Sequence, residues 1–240
     1  MASTDSTPAN SAPVITVDGP SGSGKGTLAS LLADQLGWHL LDSGALYRIV
    51  AVMADRAGLA LEADQEGAIA QLARQLEIDF QRDAVTARQR VDGETGEVVE
   101  LTDVIRSEDA GEMASRVAVM QTVRDSIFDL QRRAQRPPGL VADGRDMGTY
   151  IFPHAELKIF LDASAQERAE RRYKQLKNKG LSVSLRGLLE QIKERDARDR
   201  GRTIAPLKPA EDALIIDSTS MSIEAVFDLV MAEVAKRQLA

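Results

Sequence analysis

The segment Val14–Thr27, which reads VITVDGPSGSGKGT, decides the fold of the chain. Its apolar start, Val14–Val17, predicts a buried strand. The leucines that follow have helical spacing: Leu28, Leu31, Leu32 and Leu36. A glycine-rich turn between a strand and a helix points successive backbone N–H groups into one concavity at the helix N-terminus, which suits polyphosphate. The alternative is a glycine turn with a purely structural role.

Two side chains of the turn suit a nucleoside triphosphate. Lys25 supplies a point charge for the β- and γ-phosphates, and a hydroxyl at the helix start reaches Mg²⁺. In the common pattern that hydroxyl directly follows the lysine, whereas here Gly26 follows Lys25 and the hydroxyl belongs to Thr27. Because the turn lies between a strand and a helix, the sequence predicts a mononucleotide phosphate loop despite this departure.

The composition narrows the classes of protein and of metal site. The 240 residues are 43% hydrophobic and 28% charged, as in ordinary globular proteins. The chain has no cysteine and only two histidines, which excludes disulfides, thiolate sites and histidine-rich metal sites. Any metal is therefore expected to be a hard cation held by oxygen, such as Mg²⁺. The net charge of −7 argues against a nucleic-acid partner.

The ends and the hydropathy of the chain suggest no membrane role. No apolar run approaches the ~20 residues of a membrane span. The segment 2–13 is rich in Ser, Thr, Ala and Pro, with neither a cationic start nor an apolar stretch. It therefore predicts a disordered tail over 1–13 and not a signal peptide. We expect a cytoplasmic protein, and nothing in the sequence demands more than a monomer.

Further short apolar runs end in Asp, Gly or Ser. Runs of this length separated by helical stretches predict a mostly parallel sheet covered on both faces. Polar residues gather after the carboxyl ends of the strands, where open α/β sheets bind ligands. The runs are His39–Leu41, Leu140–Ala142, Leu157–Leu161 and Ala213–Ile216.

The pattern changes between about Leu61 and Arg124. Ile78–Phe80 and Val98–Val99 predict short strands around turn-prone Asp92-Gly93 and Thr95-Gly96, and no long buried run occurs. We interpret this stretch as an inserted, partly mobile subdomain of about 61–124. The core then comprises 14–60, 125–181 and 207–240.

A second polar turn precedes a helix at Asp42–Arg48. The Ser43 hydroxyl and the Arg48 guanidinium suit a second anionic group. Helix capping by Asp42 or Ser43, with an exposed arginine, explains the same residues.

The stretch Ser184–Arg202 changes character along one helix face. Its apolar stripe is formed by Leu185, Leu188, Leu189 and Ile192. Continued in steps of 3.6 residues, the stripe reaches Arg195, Asp199 and Arg202, with Arg198 beside it. Charges on an inward face need a partner, and a phosphorylated ligand is one. An exposed arginine–aspartate network is the alternative.

Five segments together resemble bacterial cytidylate kinases, in the right order from about Val14 to Lys236. They are GPSGSGKGT (19–27), LLDSGALYR (40–48), ADGRDMGT (142–149), KIFLDAS (158–164) and KERDARDR (193–200). The resemblance implies an α/β P-loop nucleoside-monophosphate kinase fold, with a parallel five-stranded core sheet flanked by helices, an NMP-binding insert and a helical lid of about 182–206. It implies transfer of the γ-phosphate of ATP to CMP or dCMP with Mg²⁺, giving CDP or dCDP and ADP, in pyrimidine nucleotide metabolism.

The resemblance also implies roles for individual residues. ATP is bound by Gly19, Pro20, Ser21, Gly22, Ser23, Gly24, Lys25, Gly26 and Thr27. The acceptor phosphate lies near Ser43 and Arg48, and cytosine is bound by Ser115, Arg124 and Asp146. Arg145 and Arg202 bind phosphate, while Arg195 and Asp199 contact the ribose. The catalytic side chains are Lys25, Arg145, Arg195 and Arg202. Thr27 ligates the metal, with Asp143 in its outer shell.

Two other functions compete with this hypothesis. One is a kinase of the same fold that acts on another small acceptor, such as shikimate or UMP. The other is a nucleotide-dependent binding or RNA-associated switch that hydrolyses ATP slowly and transfers nothing to a monophosphate. The acidic balance of the chain speaks against the switch.

Overall fold

The computed structural model describes residues 12–80, 85–91, 94–178 and 180–239. Most of the predicted tail, 1–13, and the turn predicted at Asp92-Gly93 therefore lie outside the described residues. The elements follow in the order β1 (Val14–Asp18), α1 (Lys25–Leu36), β2 (His39–Asp42), α2 (Ser43–Arg56), α3 (Glu66–Gln75), β3 (Leu76–Phe80), β4 (Val85–Val91), β5 (Glu94–Thr95), β6 (Val99–Glu100), α4 (Glu108–Val117), α5 (Gln121–Arg133), β7 (Leu140–Gly144), β8 (Leu157–Asp162), α6 (Ala165–Asn178), α7 (Leu185–Arg200), β9 (Leu214–Asp217) and α8 (Ile223–Lys236).

The chain divides into two compact units. The core unit consists of the described parts of Met1–Asp42 and Arg132–Ala240. The second unit is Ser43–Gln131.

A parallel sheet forms the centre of the core unit. Within the described residues it has five strands in the order β2-β7-β1-β8-β9, which confirms the predicted sheet. The three inner strands are buried along nearly their whole length, whereas β2 and β9 form the edges. Asp18, the last residue of β1, lies opposite Gly144 of β7 and Phe160 of β8. The chain leaves β1 where the strand order diverges, the position at which open α/β sheets bind ligands.

Helices cover the core sheet through apolar stripes. Leu28 and Leu32 of α1 and Val226 and Val230 of α8 pack in one cluster with β1. Leu31 belongs to the predicted stripe of α1 but is 40% exposed, because it lies at the edge of that stripe. Burial of these stripes removes apolar surface from water and holds the helices on the sheet.

Helices α6 and α7 share a smaller apolar cluster in the core unit. Leu188, Leu189 and Ile192 pack there against Ala169 and Leu176. The predicted stripe on α7 is thus confirmed. The helix ends at Arg200, so Arg202 lies just beyond it and not on its last turn.

The second unit combines helices with a small antiparallel sheet. Helices α2, α4 and α5 pack around a cluster that includes Val50, Val123 and Ile127. Strand β4 pairs antiparallel with β3, β5 and β6. Strand β3 includes the predicted Ile78–Phe80, whereas β6 begins at Val99, one residue later than predicted. The predicted insert of 61–124 falls inside this unit, together with α2 and most of α5. Across the described residues of both units, none of the helices is long and apolar enough to cross a membrane.

Candidate active site

The turn after β1 leads directly into α1 in the core unit. Gly24 precedes the helix with a left-handed φ of 95°, and its carbonyl accepts the first helical hydrogen bond from Leu28 N–H at 3.0 Å. A residue with a side chain is strained in this conformation, so glycine suits the position. The helix therefore begins at Lys25, and its free N–H groups open beside the turn.

Packing against Asp143 favours glycine at position 26, where the common motif has a hydroxyl residue directly after the lysine. A Cβ placed on Gly26 would lie 3.1 Å from Oδ2 of Asp143, which is tighter than ordinary contacts. Asp143, in β7, therefore packs against the first turn of α1, and a side chain at position 26 would require this carboxylate to shift by a few tenths of an ångström. The hydroxyl of the motif is carried by the next residue, Thr27, which is exposed.

The Lys25 ammonium group lies in a largely buried position. Its Nζ donates to the Pro20 carbonyl at 3.4 Å and lies 3.9 Å from Asp143 Oδ1. Burial, with a smaller effect from the nearby Arg145 guanidinium, lowers the pKa of Lys25 to about 8, although Asp143 and Asp42 oppose the shift. The side chain is thus a cation held against its desolvation cost, and an anionic ligand would stabilise its charge.

An arginine–aspartate cluster lies in the same unit. Asp199, whose side chain is 1% exposed, accepts from Arg145 Nε at 3.0 Å and from Arg202 Nη2. Burial alone would raise the pKa of Asp199, but Arg145 and Arg202 hold it below its ordinary value. Arg195 adds a further favourable charge. The continuation of the α7 stripe into charge is therefore a buried network, and not the exposed one considered from the sequence.

The residues that sequence reasoning assigned to the acceptor nucleotide in the second unit are also largely buried. Ser43 Oγ donates to Gln131 Oε1 at 2.8 Å, and Arg48 Nη1 donates to the Ile105 carbonyl at 2.6 Å. Arg124, 3% exposed, donates from Nη1 to Tyr47 Oη at 3.1 Å. Ser115 Oγ donates to the carbonyl one helical turn before it. An arginine as buried as Arg124 is rare in proteins unless its guanidinium group has polar or charged partners.

Comparison with known proteins decides the family. The profile of the family described as cytidylate kinase matches residues 15–236. A cytidylate kinase of Aeromonas hydrophila is 54% identical over 228 residues, which cover 95% of this chain and 96% of that protein. This chain belongs to the cytidylate kinase family. It is also 53% identical over 231 residues to a cytidylate kinase of Pseudomonas fluorescens strain Pf0-1, and these residues cover 96% of this chain and 99% of that protein.

The cytidylate kinase chain carries a buried carboxylate that sequence reasoning missed. Both oxygens of Asp18 accept backbone N–H groups, from Met147 at 2.9 Å and Gly148 at 2.8 Å. These hydrogen bonds fix the main chain directly after Arg145 and Asp146. Burial raises the pKa of Asp18 to about 7, although the two N–H groups oppose the shift. The one signal in the sequence is an acidic residue that ends an otherwise apolar strand.

Replacing Asp18 by asparagine is expected to change how stability depends on pH. The pKa of Asp18 is raised in the folded state, so between about pH 4 and 7 the folded protein keeps a proton on Asp18 that the unfolded chain releases. The free energy of unfolding of the parent therefore falls as the pH rises through that window. Asp18→Asn lacks this titration. The stability advantage of the parent over the variant should therefore shrink by roughly 2 kcal/mol between pH 5 and 8. Urea unfolding at both values measures it, with exposed Asp228→Asn as the control. An advantage that stays constant over this range would contradict the assignment.

Gln131 is a second residue that the sequence did not single out. It is fully buried and accepts from the Ser43 hydroxyl, while its Nε2 atom has no hydrogen-bond partner in the part of the chain that the structure describes. Its place beside a proposed acceptor-binding serine depends on a contact across 88 residues of sequence. No local pattern could have revealed it.

Proposed function

We propose that the loop Gly19–Thr27, Lys25 above all, binds ATP for transfer of its γ-phosphate to CMP or dCMP. The products are CDP or dCDP and ADP, and the chain is a (d)CMP kinase, as its family membership supports. The observation that carries the assignment is a group of basic side chains in the core unit. Arg145 and Arg202 share the buried carboxylate of Asp199, and the charges of Arg145 and Arg195 act on the Lys25 ammonium group. Phosphoryl transfer requires little covalent chemistry from a protein but much neutralisation of charge.

We assign the four cations to the phosphates. Lys25 serves the β- and γ-phosphates, while Arg145, Arg195 and Arg202 balance charge on the transferred group and on the acceptor phosphate. The bonds from Arg145 and Arg202 to Asp199 hold both guanidinium groups in place before a ligand arrives. Asp199 therefore orients the two arginines. We also assign the contact with the ribose to Asp199, together with Arg195.

We assign recognition of the acceptor to five polar or charged side chains. Ser43 and Arg48 bind the phosphate of CMP, whereas Ser115 and Arg124 bind cytosine. Asp146, only 4% exposed, accepts from the 4-amino group of the base. The hydrogen bonds that hold Ser43, Arg48 and Arg124 support the proposal, because a preorganised site loses little freedom when it binds.

The residues around Gly26 fit Mg²⁺. Thr27 and Asp143 supply a hydroxyl and a carboxylate, the hard oxygen ligands that Mg²⁺ takes, and Asp143 packs against the first turn of α1. Among the described residues no group of three or more His, Cys, Asp or Glu side chains could hold a metal on its own. Thr27 would therefore contact the ion directly and Asp143 through water, with the phosphates completing the shell. Bound there, Mg²⁺ neutralises charge on the phosphates.

The location, the oligomeric state and the binding partners of the enzyme also belong to the proposal. We propose a cytoplasmic monomer whose partners are ATP, ADP, CMP and dCMP, without nucleic acid or membrane. The net charge of −7 supports the absence of a nucleic-acid partner.

A coupled assay of ADP release tests the function with a panel of acceptors. CMP and dCMP should give rapid release that depends on the acceptor, whereas UMP, AMP, GMP and shikimate should give little. Shikimate-dependent release would favour the first competing function. Slow release that no acceptor stimulates would favour the nucleotide switch.

The predicted lid should change its protection when substrates bind. We expect amide exchange across Ser182–Pro206 to slow when a bisubstrate analogue of ATP and CMP is added, because Arg195 and Arg202 gain anionic partners. Hydrogen exchange read by mass spectrometry measures the change, with α8 (Ile223–Lys236) as the internal control. Equal protection of the lid with and without the analogue would favour a static network.

A further inference from the structure

Arg168 of α6 is a charged side chain that the proposed reaction does not use, yet it is only 2% exposed. Its guanidinium makes hydrogen bonds in three directions. Nε donates to the Ala163 carbonyl at 2.9 Å, and Nη1 donates to the Ser21 carbonyl of the phosphate loop at 3.0 Å. Nη1 and Nη2 also donate to both carboxylate oxygens of Asp196 on α7. One side chain thus joins α6, the phosphate loop and α7.

The bond to Ser21 meets a requirement of any phosphate loop. A loop that turns its N–H groups toward phosphate turns carbonyl oxygens the other way, and those oxygens need donors of their own. Arg171, one turn further along α6, donates to the next such oxygen, the carbonyl of Ser23, at 3.3 Å. Helix α6 therefore supports the back of the loop with guanidinium groups.

The bond to Asp196 gives the buried guanidinium its counter-charge. Arginine stays protonated in proteins, so a buried arginine must be paired. The side chain of Asp196 is itself only 17% exposed and meets Arg168 in a two-pronged geometry, the stronger form of this pair. Asp196 lies next to Arg195 and one turn before Asp199, so the pair fixes the part of α7 that carries the proposed substrate contacts.

We infer that Arg168 and Asp196 form a clasp, a pair of positioning residues that makes the phosphate loop depend on the position of α7. When Asp196 holds both nitrogens of the fork, Arg168 is oriented to bond Ser21, and the loop keeps its N–H groups directed at ATP. When Asp196 is lost, the Nε bond to the Ala163 carbonyl is left to orient the fork, and the Ser21 carbonyl faces a less firmly held donor. The inference rests on the proposed function in one respect, namely that this loop binds ATP.

Asp196→Asn tests the clasp with little change in volume. We expect the Kd for ATP, measured by calorimetry without CMP, to rise about tenfold, and amide exchange of Ser21–Gly24 to speed up in the nucleotide-free protein. Asp196→Glu, which keeps the carboxylate, should recover most of both effects. Measurement without CMP avoids the ribose contacts proposed for Arg195 and Asp199. Arg168→Lys is the second variant, because one ammonium group cannot replace the fork at all three partners.

Arg200→Gln is the matched control. Arg200 of α7 forms an ion pair with Asp162, the last residue of β8, at 3.3 Å. This pair is partly exposed, and within the described residues Arg200 makes no hydrogen bond to the phosphate loop. The Arg200→Gln variant should have an ATP affinity and a rate of loop amide exchange within twofold of the parent. A control that matches Asp196→Asn in both measurements, or an Asp196→Asn protein with unchanged loop exchange, would overturn the clasp. Loop exchange in the free protein does not depend on ATP binding, so failure of the proposed function leaves that part of the test intact.

Discussion

Replacing Lys25 by alanine is expected to lower kcat by about 100-fold or more while the protein stays folded. The ammonium group is the cation of the phosphate loop, and its position near Pro20 and Asp143 is fixed before ATP binds. Its lowered pKa shows that the free protein holds this charge at a cost from burial. Removing it should therefore leave the melting temperature unchanged or slightly raised, and the whole loss should fall on catalysis.

Steady-state kinetics with ATP and CMP, together with thermal unfolding, measure both parts of this prediction. Lys236→Ala removes a mostly exposed lysine that pairs with Glu233 one helical turn away, so it serves as the control. A folded Lys25→Ala protein with near-normal turnover would show that the loop does not bind the transferred phosphate.

The parent enzyme is expected to use CMP at least about 100-fold better than UMP, as judged by kcat/KM. Ionised Asp146 accepts only, and the Arg124 guanidinium donates only, which matches the 4-amino group and the O2/N3 edge of cytosine. Uracil replaces the amino donor by a carbonyl and carries a proton on N3, so like would meet like. A mispaired buried polar group costs roughly 1–3 kcal/mol, and more when it is charged.

Asp146→Asn should narrow that ratio, mainly by impairing use of CMP, because an amide both donates and accepts. Values of kcat/KM for CMP, dCMP and UMP on the parent, on Asp146→Asn and on the exposed-site control Asp228→Asn provide the test. Equal use of CMP and UMP by the parent would refute base reading by these groups. An unchanged ratio in Asp146→Asn alone would assign the reading to another residue.

The core of the fold was predictable because its signals are local. Apolar runs that end in polar residues predict the strands, and a glycine-rich turn before a leucine stripe predicts the β1–α1 junction. The α7 stripe that passes from Leu188 to Asp199 predicts a buried charge, and Asp199 is 1% exposed. The sequence Ser164-Ala165-Gln166-Glu167 fits the pattern of a capping box at the start of α6, but only half of the box forms. Ser164 Oγ accepts from Glu167 N–H at 3.2 Å. Ser164 N–H, however, donates to the hydroxyl of Thr219, which is 55 residues away in sequence, and not to the Glu167 side chain.

The supporting residues of the site could not be predicted, because their roles depend on distant contacts. Asp18 reaches Met147 across 129 residues of sequence, and Arg168 reaches Ser21 across 147. Neither pair leaves a periodic pattern or a motif. The chemical roles of Ser115 and Arg124 likewise came from resemblance, since a serine and an arginine on amphipathic helices carry no signal of their own. The individual substrate contacts stay predictions.

Transfer of label from [γ-³²P]ATP tests the central claim most directly. With CMP and Mg²⁺ present, the account predicts that the label appears in CDP as fast as ADP is formed, that little inorganic phosphate is released, and that Lys25→Ala suppresses the transfer. Label that accumulates as inorganic phosphate, at the same rate with and without CMP, would contradict the account and identify an ATP-hydrolysing switch.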